Sequence, residues 1–502
     1  MEYGMDYRPL WAVLVSLIAA GLIMLSGRRP NLREFWTIIA AVAKLILVFS
    51  MIPAVLAGHV IELAPLQIAK GVSLYLRVDA MGMIFAALAS FLWLITSFYS
   101  IGYMRADKAK HQTGYFASFA ICLSATIGIA FAGNLLTFFV FYEILTIATY
   151  PLVIHNRDRE AIKSGRKYLA YTLIAGQLML IAIIWTHVIA GGSDFQAGGF
   201  LAGTASEGAL RVIAVLMLIG TGVKAGIMPL HGWLPSAMVA PTPVSALLHA
   251  VAVVKAGAFG VLRVVGFVFG PQLLDEIGVA TALAWVAAFT IIVSSLIALK
   301  QDHLKRRLAF STIGQLSYVV LGAALVTPLG LLGGMYHIVA HAFMKITLFF
   351  CAGAIHVTTH KDYISEMHGI GKRMPFTMAA FTIGSLGIAG LPLIVGFISK
   401  WNLALGALQR GQGIFVAVLI GSALLATTYL IPVGQMAFFT TSKKFPKFGE
   451  VRLDMLIPLC LTAVIAIVLG IFPDAGAHFY QLAVNSAQEI FNSSSLTMGG
   501  GW

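Results

Sequence analysis

Residues 330–356 read GLLGGMYHIVAHAFMKITLFFCAGAIH, an apolar run that carries two histidines and a lysine near its middle. About 20 apolar residues are enough for a helix to cross the hydrocarbon core of a bilayer. The run therefore predicts a transmembrane helix with His337, His341 and Lys345 at bilayer depth. Their i, i+4, i+8 spacing places the three side chains on one face, in steps of about 6 Å along the helix axis.

The composition of the whole chain has the same character. Of 502 residues, 59% are hydrophobic and only 11% are charged, whereas a soluble domain carries about 25% charged residues. This excludes a soluble globular domain, and it excludes disorder, which requires low hydrophobicity with high net charge. The sequence predicts an all-α polytopic membrane protein.

Fourteen apolar runs are candidate spans, and the first is expected to be a retained span because the N-terminus does not resemble a signal peptide. Their approximate limits are 9–26, 36–57, 79–103, 115–132, 134–154, 167–190, 210–229, 241–270, 277–299, 309–327, 330–356, 376–408, 414–440 and 454–473. The tail after Pro473 is mixed in polarity and predicts a short surface helix followed by a frayed end.

The charges sort by side of the membrane. Basic residues gather in alternate loops, namely Arg28, Arg29, Arg33, Arg105, Lys108, Lys110, Arg157, Arg159, Lys163, Arg166, Lys167, Lys300, Lys305, Arg306, Arg307, Lys361, Lys372, Arg373, Lys443, Lys444, Lys447 and Arg452. The other loops hold Asp194, Glu207, Asp275, Glu276 and Asp474. Because basic loops stay in the cytoplasm, we expect a multi-pass protein of the inner or plasma membrane with both termini on the non-cytoplasmic side. The net charge of +13 then needs no nucleic acid to explain it.

Two candidate spans are interrupted by glycine and proline. Span seven contains GTGVKAGIMP (220–229) and span twelve contains GIAGLPLIVGF (387–397), five spans later. Paired interrupted helices are typical of inverted repeats in transporters. The pattern favours a transport protein built from two repeats of five helices.

Ionisable residues inside apolar runs are costly and usually face a bundle interior or a water cavity. Besides the stripe above, the runs contain Glu143, Lys224, His249, Lys255 and Lys400. We interpret them as proton-transfer groups, because buried lysine and neutral histidine can take up and release protons. The alternatives are snorkelling of the lysines to the surface and a structural pairing of Glu143. Lys44 and His187 lie near the predicted interface, where snorkelling explains them at least as well.

The pair His337 and His341 has two further interpretations. Its HxxxH spacing suits two zinc ligands, although no third ligand is evident and Lys345 would repel the metal. The histidines could also simply be hydrogen-bonded in the helix packing. Cys122, Cys351 and Cys460 form no CxxC, and P-loop, GxGxxG and HExxH motifs are absent from the sequence, so we expect no cofactor or metal in this chain.

Five segments together carry a resemblance to a known family. They are HGWLPSAMVAPTPVSALLHAVAVVKAG (231–257), NLLTFFVFYEILTIATYPL (134–152), KRRLAFSTIGQLSY (305–318), HIVAHAFMKITLFFCAGAI (337–355) and GLPLIVGFISKW (390–401). With these, the chain resembles the antiporter-like subunits of complex I, of Mrp-type cation/proton antiporters (D type) and of group 4 membrane-bound hydrogenases.

The resemblance implies fourteen core helices with two inverted five-helix repeats and interrupted helices 7 and 12. The expected division is 1–110 for helices 1–3, 111–272 for the first repeat, 273–442 for the second, and 443–502 for the last helix and tail. It also implies that Glu143 pairs with Lys224, and that the proton row continues through the remaining groups, namely His249, Lys255, His337, His341, Lys345 and Lys400.

The implied function is proton translocation within a multisubunit membrane complex. The expected partners are other hydrophobic subunits, including paralogous antiporter-like ones, and membrane lipid. The energy source would be redox chemistry in partner chains or exchange against another cation, since we expect no redox or hydrolytic site in this chain. An alternative is a proton-conducting subunit that energises a partner enzyme, as in inorganic-carbon uptake complexes. A purely structural scaffold is disfavoured because it gains nothing from a row of buried charges.

Overall fold

A computed structural model describes residues 6–69, 72–441, 445 and 447–492. Lys443 and Lys444, two of the predicted loop charges, and the tail from residue 493 lie outside the described residues. In the first half the helices are α1 (Arg8–Leu25), α2 (Pro30–Phe49), α3 (Ile52–Leu56), α4 (Ala80–Ala106), α5 (Gln112–Ala130), α6 (Leu135–Val153), α7 (Arg159–Ala190), α8 (Glu207–Ala225), α9 (Trp233–Ser236), α10 (Thr242–Ala250), α11 (Val253–Arg263) and α12 (Pro271–Glu276).

In the described part of the second half, the elements are all helical. They are α13 (Val279–Leu299), α14 (Leu304–Ala324), α15 (Pro328–Thr359), α16 (Pro375–Ala389), α17 (Val395–Gln409), α18 (Gly413–Phe439), α19 (Leu453–Ile471) and α20 (Phe479–Phe491). Short 3₁₀ turns lie at Ala237–Val239, Ile364–Glu366 and Ile370–Lys372, and a π-helical stretch at Val264–Phe269 follows α11.

The predicted fold class is confirmed. Twelve helical segments of the described chain are long and apolar enough to cross a membrane. The two remaining predicted spans are α14, where polar residues such as Gln315 and Ser317 interrupt the apolar ones, and α16 with α17, whose halves are each shorter than a span. The predicted tail helix is α20, although one face of it is buried through residues such as Leu482 and Ala487.

The centre of the bundle is formed by α10, α11 and α15. The apolar windows of Thr242–Phe269 and Pro328–Thr359 are buried along their whole length, whereas α7 and α18 have only 33% of theirs buried. The outer helices therefore present apolar side chains to lipid or to other proteins, and a polar group on α11 or α15 lies in the interior.

Loops that the charge pattern assigns to one side of the membrane are in contact with one another. At one end, called the basic end here, Asp302 accepts from Ser365 at 2.7 Å and Gly369 N–H donates to the carbonyl of Met436. At the other end, called the acidic end, the backbones of Asn134 and Asp194 form an isolated antiparallel β-bridge, and Asp275 forms an ion pair with Arg410. The placement of the basic end in the cytoplasm stays a prediction.

The connection between α3 and α4 contains strands that the sequence reasoning missed. Strand β1 (Ile61–Glu62) pairs antiparallel with β4 (Arg77–Val78), with Ile61 opposite Val78. Strand β2 (Leu66–Ala69) pairs antiparallel with β3 (Val72–Leu74), with Leu66 opposite Leu74. Strands this short lack a run long enough to show alternation, so hydropathy indicated only a loop.

Spans seven and twelve are interrupted, as predicted, and span eight is interrupted as well. Glycines with positive φ, Gly226 (φ 76°) and Gly390 (φ 91°), end α8 and α16, as their sequences indicate. A third break separates α10 from α11 at Val251 and Ala252. Valine and alanine give no breaker signal, so this interruption was not predictable from the local sequence.

A buried ion pair fastens α11 to the start of α4. The Arg263 guanidinium donates to both carboxylate oxygens of Asp79, at 2.5 and 2.8 Å, and Asp79 also caps α4 by accepting from Gly82 N–H at 2.7 Å. The rings of Phe259 and Phe267 lie 5.0 and 4.5 Å from the guanidinium carbon. This clamp holds the acidic end of α11 in a fixed position.

The closest approach between α11 and α8 depends on Gly257. A Cβ at this position would lie 2.2 Å from the backbone nitrogen of Ala225 and 2.8 Å from Cβ of Lys224. Only glycine permits this contact, because the obstacle is backbone and cannot swing aside. The contact sets Lys224 against the helix that carries Lys255.

The first prediction concerns this contact. Gly257→Ala is expected to destabilise the protein by about 1–3 kcal/mol, because the added methyl overpacks a backbone contact. Gly208→Ala on α8 is the matched control, since a Cβ there meets no atom within 4 Å. Thermal unfolding in detergent measures both, and equal stability of the two variants would refute the tight α8–α11 contact.

Candidate functional site

Among the described residues, five lysines are buried in the interior, and four of them were predicted. Lys44, Lys224, Lys255 and Lys345 have no exposed surface, and Lys400 is 9% exposed. Each ammonium donates a hydrogen bond to a main-chain carbonyl of a neighbouring helix, and none forms an ion pair with an acid among the described residues. None of the four predicted lysines reaches the surface by snorkelling.

The middle of the site joins α11 to α15. Lys255 donates to the carbonyl of Ile338 at 3.0 Å and contacts Nδ1 of His341 at 2.7 Å. The His341 and His337 rings follow one another along α15, with centroids 6.1 Å apart and planes 24° from parallel. The predicted stripe on α15 is therefore in direct contact with the lysine of span eight.

From His337 the polar contacts continue to α17. Nδ1 of His337 lies 2.8 Å from the Ser399 hydroxyl, which donates to the carbonyl of Gly396 at 3.1 Å. The His337 ring stacks on Tyr318 with centroids 5.1 Å apart, and Nζ of Lys400 lies 5.2 Å from the centroid of the same Tyr318 ring. Lys400 itself donates at 2.5 Å to the carbonyl of Ile388, which lies in the last turn of α16 beside the break.

On the side toward the basic end, the groups are Lys345 and His249. Lys345 donates to the carbonyl of Leu308 at 3.1 Å and is near enough to interact with His249 and Lys255 through space. His249 is fully buried, and its ring lies 4.8 Å from that of Phe349. We call the six groups His249, Lys255, His337, His341, Lys345 and Lys400 the central row.

The predicted pair of Glu143 and Lys224 is not in direct contact. Lys224 donates to the carbonyl of Tyr142 at 2.5 Å, with Nζ 3.4 Å from the ring centroid of the same residue. The carboxylate of Glu143 lies instead over Gly176 of α7 and interacts with Lys224 through space. The expected ion pair is therefore corrected to an electrostatic pairing without a hydrogen bond, because the Glu143 carboxylate lies toward α7 while the Lys224 ammonium donates to the Tyr142 carbonyl.

The structure thus groups the predicted residues into two sections. The central row is one, and Glu143 with Lys224 is the other; Gly257 brings the backbones of the two sections together. Several buried polar atoms of both sections have no protein hydrogen-bond partner: both carboxylate oxygens of Glu143, both ring nitrogens of His249, and Nε2 of His337 and of His341. Buried polar atoms of this kind are ordinarily satisfied by water, which suits groups that exchange protons.

Lys44 is a fully buried lysine that the sequence analysis placed near the membrane interface. Its ammonium donates to Ser16 Oγ at 2.6 Å and to the carbonyl of Leu123 at 3.1 Å, and it lies 5.2 Å from the ring of Trp93. The expectation of an interfacial lysine is wrong, because α2 starts at Pro30, six residues before the predicted span, and places Lys44 deeper. Its hydrogen-bond partners belong to neither section of the site.

The basic end above Lys345 is closed by a titratable cluster. His356 Nδ1 contacts Asp362 at 2.9 Å, and this hydrogen bond holds the pKa of the Asp362 carboxyl below its usual value. Burial lowers the pKa of His303, and the backbone of this residue forms an isolated β-bridge with Tyr363. These contacts tie the loop before α14 to the loop after α15.

The geometry favours the relay interpretation of the histidine pair over a zinc site. Lys255 Nζ lies against Nδ1 of His341, and a cation in that place opposes binding of a second cation. Within the described residues, no group of three or more His, Cys, Asp or Glu side chains is arranged to hold a metal ion.

Comparisons with known proteins agree with this picture. The family described as NADH:quinone oxidoreductase/Mrp antiporter, TM, matches residues 132–427. The chain is 32% identical over 426 residues to the N subunit of the NADH-quinone oxidoreductase of Desulforudis audaxviator, covering 80% of this chain and 82% of that one. It is 26% identical over 485 residues to the D subunit of the Na(+)/H(+) antiporter of Alkalihalophilus pseudofirmus, covering 96% of each.

A solved structure shares the fold. A chain of the Mrp complex from Dietzia sp. superposes with a TM-score of 0.85 over 97% of both chains, at 21% sequence identity. The relatives and this structural neighbour are subunits of multisubunit membrane complexes.

The second prediction separates functional from structural buried charges on α11. Lys255→Met is expected to leave stability unchanged or raised, since no carboxylate loses its partner. Arg263→Met is expected to cost about 3–5 kcal/mol, because Asp79 then remains buried and unpaired. The same substitution eight residues along one helix makes the pair a matched comparison. Thermal unfolding decides, and an equal loss in both variants would mean that Lys255 is held for stability.

Proposed function

Because the chain belongs to the NADH:quinone oxidoreductase/Mrp antiporter transmembrane family, we propose that it is a proton-translocating subunit of a multisubunit membrane complex. Protons would pass along the central row and the Glu143–Lys224 section. The domain limits 1–110, 111–272, 273–442 and 443–502 stay a prediction that accompanies this assignment.

The observation that carries the proposal is the central row. Lys255, His341, His337 and Ser399 form a line of contacts across α11, α15 and α17, and Lys345 and Lys400 lie near its two ends. Insertion scales put the cost of one lysine at the centre of a membrane helix at about 2.5–3.5 kcal/mol. The row contains three such lysines, none of them paired with an acid among the described residues, and they indicate a function that offsets this cost.

The chemistry of the row suits protons. Amines and imidazoles exchange protons, whereas Na⁺ as a hard cation prefers oxygen ligands such as carboxylates and carbonyls. Glu143 is the one carboxylate in the proposed path, and the carbonyls nearest the row are already occupied by lysine ammonium groups. Any sodium path of such a complex would lie outside this chain.

The partners are proposed from the surface and from the relatives. Apolar side chains of the outer helices are exposed, for example Ile181 and Val188 on α7, and lipid or other hydrophobic subunits can cover them. We propose that paralogous antiporter-like subunits are among these, in the cell membrane, with both termini outside. Mass spectrometry of the complex isolated in mild detergent identifies the partners, and metal-containing redox subunits would indicate a redox-driven pump.

The third prediction tests the proposed path. Lys224→Ala and Lys345→Ala are each expected to lower proton translocation by about 100-fold, the low end of the effect of removing a proton-transfer group. The measurement is the pH gradient formed by vesicles that contain the complex, with assembly checked by native gel. Lys163→Ala, at an exposed lysine in the second turn of α7, is the control, and wild-type transport in both Lys224→Ala and Lys345→Ala would contradict the proposal.

The fourth prediction concerns sodium. Replacing Na⁺ by K⁺ around the purified chain in liposomes is expected to leave proton conduction through it unchanged, since the row offers no oxygen cage for Na⁺. Isotopic ²²Na⁺ flux through the same liposomes should equal that through protein-free liposomes. Proton conduction that stops without sodium would contradict a path made for protons alone.

A further inference from the structure

A second file of polar groups leads from the central row to the acidic end. It consists of Asn402 on α17, Tyr336 on α15, Tyr480 on α20, and the pair Asp474 and His478 in the turn before α20. None of these residues was singled out as a site residue by the sequence. We call the five residues the acidic-end file.

The file begins where the row reaches α17. Ser399, the partner of His337, and Asn402 are three residues apart and so lie on one face of the helix, about 4.5 Å apart along its axis. Asn402 is 5% exposed and donates from Nδ2 to the carbonyl of Ile398, so its Oδ1 is free to accept from another group. The amide therefore presents an acceptor beyond the last contact of the row.

Two tyrosines continue from this acceptor. The Tyr480 hydroxyl donates to Oδ1 of Asn402 at 3.5 Å, and its ring packs edge-on against Tyr336 with centroids 5.4 Å apart. The Tyr336 hydroxyl lies 3.2 Å from the carbonyls of both Leu469 and Pro473 at the end of α19. A phenol both donates and accepts hydrogen bonds, so each hydroxyl can still accept from a water that continues the path. Both phenols are near enough to Asp474 to interact with it through space.

The outer end of the file is an acid–histidine pair. Asp474 Oδ2 lies 3.2 Å from Nδ1 of His478, and Asp474 Oδ1 accepts from Gln481 N–H at 2.9 Å. The side chains of Asp474 and His478 are 39% and 51% exposed, whereas Tyr336 and His337 are fully buried. Exposure thus rises from the row to the surface, as a path to water requires.

We propose that the acidic-end file is the opening through which the central row exchanges protons with water at the acidic end, with Asp474 and His478 as the collecting pair. This inference rests on the proposed function of the row. It also gives α20 a role, because the helix supplies Tyr480 and positions the turn that carries the collecting pair. The rival explanation is structural, in which the hydroxyls serve only to satisfy carbonyls at the end of α19.

The test uses the complex that contains this chain, reconstituted in liposomes whose orientation is determined by labelling. The double substitution Asp474→Asn with His478→Gln is expected to slow proton translocation about ten-fold at low buffer strength, the low end of what charged groups contribute to capture rates. A mobile buffer, imidazole, added at high concentration on the acidic-end side should restore the rate, and on the other side should not. A structural role would not respond to buffer.

Inner members of the file are tested by smaller changes. Tyr480→Phe removes one hydroxyl and should slow translocation several-fold, while Tyr363→Phe, an exposed tyrosine at the basic end, should not. Asn402→Leu should slow it likewise, and Asn402→Asp, which keeps an oxygen acceptor, should recover most of the rate. Glu276→Gln, an exposed acid at the acidic end, is the control for the double substitution.

The outcomes separate this inference from the proposed function. Slowing with rescue from the acidic-end side supports the file. Slowing without rescue, or with a lowered unfolding temperature in Tyr480→Phe, overturns it in favour of the structural role. Wild-type rates in all file variants, with transport lost in Lys224→Ala, overturn the file alone. Wild-type rates in Lys224→Ala and Lys345→Ala as well refute the function on which the file rests.

Discussion

The hydrogen bond between a buried ammonium and a main-chain carbonyl is the interaction on which the interior depends. Five lysines among the described residues use it, and in each of them the carbonyl belongs to a different helix. A carbonyl lowers the cost of burying the amine without neutralising its charge as a carboxylate would. The lysines are thereby retained in the membrane while their protons stay exchangeable, and helix positions must keep each carbonyl within reach of its amine.

The Asp79–Arg263 clamp shows the opposite solution on the same helix. There the charge is fully paired and surrounded by aromatic rings, so the site is suited to holding α11 in place and not to exchange. Function and stability are thus assigned to different charges of one helix. The break at Val251 and Ala252 and the close packing at Gly257 lie on either side of Lys255 and fix its position between α8 and α15.

The sequence was sufficient for the spans and for the members of the central row, because charges inside apolar runs are rare and stand out against their neighbours. It was insufficient wherever the decisive partner comes from a distant helix. The role of Arg263 depends on Asp79 of α4, which its own segment does not reveal. The sequence likewise does not show that the Lys224 ammonium donates to the Tyr142 carbonyl. The burial of Lys44 was not predicted because the start of α2 was placed six residues too late. Tyr480 was not predicted because its role depends on a hydrogen bond to Asn402 of another helix.

The Ser399 hydroxyl has a consequence for the tautomers of the row. It lies 2.8 Å from Nδ1 of His337 and donates to the carbonyl of Gly396 at 3.1 Å. A hydroxyl both accepts and donates hydrogen bonds, so it serves Nδ1 of His337 as an acceptor when that nitrogen carries a hydrogen and as a donor when it does not. Each proton that passes through an imidazole leaves the ring in the other tautomer, and the next proton needs the first tautomer again. Ser399 therefore lets His337 be reset by the turn of one hydroxyl, without any movement of α15 or α17.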